Sequence, residues 1–228
     1  KGGGIDIEGS ASLSSGGTVA SLTGVKVWNS GSLSLGSGGR VISSDGGLEV
    51  AGHMSLAPDG AVSTTGGGIS VLSDGTLTME LDGHVMSLVS GSIGGTINVG
   101  GNMSLAAGGS VEAAGGDITV LESGVVSMQS AGTVWCDGHV AIEGTMSLSS
   151  QGAVTASGGD VSVMQNGSLT LDSDGVVAAH RRGFFGGGIT LLGDMSLGSR
   201  GTLLTAGGAV AVKDSGVLVM GVDGNMTS

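Results

Sequence analysis

The chain has 228 residues, 39% of them hydrophobic, which is enough to build a core, but only 2% are aromatic and 50 are glycine. Each interior glycine costs a helix about 0.5–1 kcal/mol relative to alanine, so a helical protein is excluded, and the single proline with no triplet period excludes collagen. A net charge of −12 with seven basic residues argues against nucleic acid or an anionic membrane as partner, and no apolar run is long enough to span a bilayer.

Taken in chain order, the sequence breaks into ten lines, each opening on an apolar-x-apolar triplet. They begin at Ile5, Val25, Leu48, Ile69, Ile97, Ile118, Val140, Val161, Ile189 and Val210. Each line then runs through a glycine turn, a second apolar-x-apolar run, another turn, one or two further apolar residues and usually Gly-Gly. Alternation at period two is the mark of a strand with one buried face. Three short strands per line cannot enclose a core, whereas stacked lines can, each pairing with its neighbour about 4.7–4.9 Å away.

The fold class expected is therefore all-β: a β-solenoid, or parallel β-helix, of about ten coils of 20–28 residues forming one continuous unit over 1–228. Ten coils at the strand spacing make a rod about 45–50 Å long. The absence of covering segments at the two ends suggests part of a longer array. Lines alternate between a short first turn, as in "INVGGNMSL" and "VAIEGTMSL", and one longer by two residues, as in "ITVLESGVVSM" and "VSVMQNGSLTL". Above this sits a four-coil super-repeat, since Ile5 and Ile97, Leu48 and Val140, and Ile97 and Ile189 each lie 92 residues apart.

Alternation also assigns directions. Ile97, Val99, Met103, Leu105 and Val111 are expected inward, then Ile118, Val120, Val126, Met128 and Val134. Met54, Met103, Met146 and Met195 share one inward rank and read as core fillers rather than metal ligands. Cys136 reads as a buried, inert thiol without an internal disulfide partner. Between the core positions of the second strand lies an outward rank: Ser12, Ser34, Ser55, Thr78, Ser104, Ser127, Ser147, Thr170, Ser196 and Val219, nine of ten hydroxylated.

Candidate contact sites lie where lines carry extra residues. "SLVSGSI" at 87–93 and "AAHRRGFFG" at 178–186 are expected to protrude from one edge, offering Ser87, Val89, His180, Arg181, Arg182, Phe184 and Phe185 for contact. Replacing Arg181 is expected to leave stability intact. Asn102, Asn166 and Asn225 each open an N-glycosylation acceptor triplet, relevant to a secreted eukaryotic chain. The four histidines fall on different ranks, so no metal and no cofactor is expected.

At residues 96–120, "TINVGGNMSLAAGGSVEAAGGDITV", the wording resembles the repeat arrays of filamentous-haemagglutinin-like adhesins and other large secreted β-helical surface proteins. The resemblance implies an elongated extracellular or cell-surface protein. The leading expectation is a structural or adhesive rod, a segment of a filament, stalk or fibre, without catalytic activity. Its partners would be copies of itself or other surface and filament proteins. An ice-binding plane built on the hydroxyl face stands second. It is weakened by the flanking rank Ser10, Ser32, His53, Thr76, Asn102, Val125, Thr145, Ser168, Asp194 and Val217, which varies in size and charge. Cleavage of a polysaccharide stands third: Asp172 and Asp174 in "LDSDG" are close together, but the same letters are good turn chemistry.

Overall fold

The computed structural model describes residues 3–88, 95–180 and 187–228. Within them, 29 strands stack in three ranks, all pairs parallel. The first strands of successive lines register Ile5 on Val25, Val25 on Leu48, Leu48 on Ile69, and so on through Ile189 on Val210. The chain is thus a parallel β-solenoid of about 9 turns, with about 23 residues per turn. Nine steps at the strand spacing correspond to a stack about 43 Å tall.

The second strands form a ten-stranded sheet of their own, from Ser10–Leu13 to Val217–Met220. First and third strands make the other two faces. They count as one sheet of nineteen because Thr202–Val212 runs unbroken from the third face of one coil into the first face of the next. The sequence placed a turn at Gly207-Gly208. There the strand instead carries a register irregularity opposite Gly187 and Ile189, which absorbs the direction change.

The core is the stack of inward ranks. Every inward position expected in the coils starting at Ile97 and Ile118 is at most 3% exposed, and Met54, Met103, Met146 and Met195 are at most 1% exposed. The aliphatic ladders explain the scarcity of aromatics: copies of one coil stack in register, so each layer must fill the same narrow section with side chains of similar size. One inward rank of the third face is polar in four consecutive coils, at Ser21, Ser43, Thr64 and Ser87. These hydroxyls are satisfied internally. Thr64 Oγ1 donates to Gly67 O at 2.6 Å, and Ser87 Oγ donates to the same carbonyl at 2.9 Å.

The corner between second and third faces shows why turns repeat so strictly. Its third residue has positive φ in all ten coils: Gly16, Gly38, Asp59, Asp82, Gly108, Ala131, Gln151, Asp174, Arg200 and Asp223. That conformation aims the N–H along the stack. The Gln151 N–H reaches Ser173 O and the Asp174 N–H reaches Ser199 O, each at 2.9 Å. The following glycine has no room for a side chain, since a Cβ on Gly132 would sit 2.7 Å from Met128 Cβ.

Cys136 continues the Ser87 rank inward and is fully buried. Burial pushes its thiol from 9.0 up to about 12, reinforced by the charge of Asp117. The unfolded thiol ionises near pH 9 while the folded one stays neutral. Stability is therefore whole below pH 9 and falls, by about 1.4 kcal/mol per pH unit, as pH rises toward 12. A Cys136→Ala variant should lose that alkaline slope in urea titrations, and the native thiol should react with a thiol reagent only on unfolding.

Candidate functional site

Three surfaces of the rod carry distinct chemistry. The second face bears the hydroxyl rank in unbroken register: Ser55 lies on Thr78, Thr78 on Ser104, Ser104 on Ser127, Ser127 on Ser147, Ser147 on Thr170 and Thr170 on Ser196. In the last coil the face turns apolar, with Val217 48% and Val219 53% exposed. The flanking rank is as mixed in space as in sequence, with His53, Asn102, Val125 and Asp194 in one row. Asn102 and Asn225 lie exposed at strand starts, and Asn166 lies exposed in a turn.

The corner between first and second faces carries exposed apolar residues in alternate coils: Trp28, Leu72, Leu121 and Met164. They occupy the first position of the longer turn, so they repeat about every 9.6 Å along the rod. The intervening coils place Ala51, Gly100 and Glu143 there. A hollow of about 640 Å³ lies between Leu72 and Leu121, floored by Gly100.

The corner between third and first faces is the surface that sequence reading missed. The residue preceding the opening apolar-x-apolar triplet of each line is, coil by coil, Gly4, Gly24, Gly47, Gly68, Thr96, Asp117, His139, Asp160, Gly188 and Ala209. From Asp117 to Asp160 these side chains cap the next coil. Asp117 Oδ1 accepts the His139 N–H at 2.7 Å, His139 Nδ1 accepts the Asp160 N–H at 3.0 Å, and Asp160 Oδ1 accepts the Gly188 N–H at 2.8 Å. His139 therefore carries its ring hydrogen on Nε2 in this arrangement. Toward the other end the same rank is glycine, and the space becomes a trough of about 490 Å³ bordered by Asp6, Lys26, Glu49 and Thr96. The signal was visible in the aligned lines, as a switch from glycine to Asp and His at one column.

Elsewhere the expected site residues take other places. Ser87 does not protrude. It lies two residues after Val85 in the strand His84–Leu88, so alternation turns it inward, where it is 0% exposed. Ala178 and Ala179 are likewise buried in the strand Val176–His180, and His180 ends that strand half-buried. The extra segments therefore begin later than their sequence suggests. Val89, Arg181, Arg182, Phe184 and Phe185 lie outside the described residues. Asp174 occupies a left-handed turn position and pairs with Arg200 of the next coil at 2.6 Å, a turn role rather than an open acid-base pair. His53 lies on the second face, His139 at the third corner, and His84 and His180 at opposite ends of third-face strands four coils apart, and no group of three metal-ligating side chains converges among the described residues.

No protein-family model and no curated protein matches the sequence. Among solved structures, the chain is similar to the TibC-catalyzed hyper-glycosylated TibA55-350 fragment, at 16% sequence identity and a TM-score of 0.21, over 99% of this chain and 100% of that one. A superposition that loose does not bear on function.

Proposed function

We propose that the chain is a non-catalytic structural or adhesive rod, a segment of a filament, stalk or fibre displayed outside the cell or on its surface. The observation that carries this reading is the uninterrupted parallel register from Ile5 to Val210, in which every described strand serves the stack. Lysine and arginine are too few for a phosphate-binding surface, so neither nucleic acid nor membrane insertion belongs to the proposal.

Assembly with copies of itself, or with other surface and filament proteins, is supported by the exposed apolar residues at the corner between first and second faces. The two-coil apolar rhythm of Trp28, Leu72, Leu121 and Met164 suits lateral contact with an identical rod shifted by one coil. Negative-stain images and light scattering of the isolated chain should show elongated particles that lengthen or bundle as concentration rises. Compact particles unchanged over that range would overturn the proposal.

The hydroxyl ladder favours ice binding as a second reading. It predicts thermal hysteresis that disappears in a Ser104→Lys, Ser147→Lys double variant, and a wild-type protein without hysteresis removes it.

A further inference from the structure

We propose that two copies of the chain pair side by side and antiparallel along the corner between first and second faces, each long turn of one seated on a short turn of the other. This rests on the rod reading and names the partner of that corner and the way it sits.

The corner is built as an alternation. Counting coils from the one that begins at Ile5, the first and second strands are joined by two residues in every odd coil and by four in every even coil. The long turns stand out: the first three residues of each are exposed, and Trp28, Leu72, Leu121 and Met164 lead them in coils two to eight. The short turns between them recede, with Ala51, Gly52, Gly100 and Gly101 buried. Projections and gaps therefore repeat at the same spacing, about 9.6 Å. Two of the gaps are hollows, one of about 640 Å³ over Gly100 and one of about 200 Å³ beside Glu143 and Met164. Such a surface is complementary to itself once displaced by one coil.

An antiparallel copy that sets coil six on coil five achieves this displacement along the whole stack. Leu121 of each copy enters the hollow over Gly100 of the other, and Met164 lands on Ala51. Leu72 enters the smaller hollow beside Glu143, and Trp28 meets the half-buried Leu192. Lys213 leads the long turn of coil ten and meets Glu8, so the one cation among these turns faces an anion. A parallel copy displaced by one coil also sets long turns on short ones, but it leaves the two members in unlike surroundings and puts Glu8 on Trp28. The antiparallel pair closes on a two-fold axis. A strip about 43 Å long and about four strand residues wide buries roughly 1,100 Å² in total, just above the ~1,000 Å² that a specific interface needs. Like charges keep the contact weak, since the exposed Asp74 comes beside Glu143 in both halves of the pair.

The test is sedimentation velocity of the intact chain over a concentration series, which reads mass and elongation together, with circular dichroism as the check on folding. The expected result is an elongated monomer that passes to a dimer of nearly the same length. Gly100→Leu fills the hollow at a position where an added Cβ meets nothing closer than 3.4 Å, and it should weaken pairing about a hundredfold. Should that variant not fold, Leu121→Lys, at a side chain 41% exposed, takes its place. Glu8→Lys and Lys213→Glu should each weaken pairing about tenfold and together restore it, while Asp74→Asn should tighten it about threefold. Within one chain Glu8 and Lys213 lie at opposite ends of the stack, so the rescue requires a second copy. An elongated particle that stays single or only lengthens, pairing indifferent to Gly100→Leu, or a failed rescue would overturn the proposal and leave the rod reading standing. Compact particles would overturn both.

Discussion

Leu105→Asp and Val120→Asp are each expected to destabilise the fold by more than about 4 kcal/mol, enough to consume much of a typical domain's stability. Both side chains are at most 1% exposed, and their neighbours above and below are aliphatic: Leu105 lies between Met79 and Met128, Val120 between Val99 and Ile142. No donor within the core could pair with the introduced carboxylate. Because both residues sit in middle coils, the damage interrupts the stack instead of fraying an end, and each remaining half exposes a fresh apolar section. Thr119→Asp, on the outward side of the same strand as Val120, should change stability by less than about 1 kcal/mol. Urea titrations of the three variants measure this, and equal tolerance at all three would mean that inside and outside are misassigned.

Gly124→Ala is the second large effect, expected to cost roughly 3 kcal/mol or more for a single methyl group. Gly124 closes the first corner of its coil. An added Cβ would lie 2.0 Å from Val99 O and 3.0 Å from Leu121 O. Neither carbonyl can retreat freely. Val99 O accepts the Leu121 N–H at 2.8 Å, and Leu121 O accepts the Gly124 N–H at 2.7 Å. Relief therefore requires moving one coil away from the next, against the ladder on either side. Gly9 is the matched control at the same corner of the first coil, where a Cβ meets nothing within 4 Å. Gly9→Ala should be neutral or stabilise by up to about 1 kcal/mol, by restricting the unfolded chain. Thermal midpoints of the two variants should move apart, and a Gly124→Ala protein as stable as the parent would contradict the close stacking.

The trough illustrates what distinguishes legible from hidden features. The hydroxyl rank was readable because its residues alternate with core residues within one strand, and period two settles the side on which each lies. Ser87, placed by the extra residues of its line in a protruding segment, belongs by the alternation from Val85 to the inward rank, and there it is buried. The switch from glycine to Asp and His at that corner is visible as a column, but the hydrogen bonds those side chains make with the next coil are not, because they depend on which backbone N–H the stacking brings within reach. Likewise, Ala131, Gln151 and Arg200 occupy left-handed positions that their side chains do not announce. They are held there by the hydrogen bond each N–H makes to the coil above.

By itself the amino-acid sequence determined the number of lines, the residue at which each begins, the inward and outward ranks and hence the parallel register, because all of these follow from a period-two pattern repeated by translation. Only the tertiary structure decided the corners: the unbroken strand Thr202–Val212 and the change at the third corner from a capped ladder to an open trough. Corners depend on which backbone atoms of the next coil come within reach, and that distance is set by stacking rather than by any property of the turn residues alone.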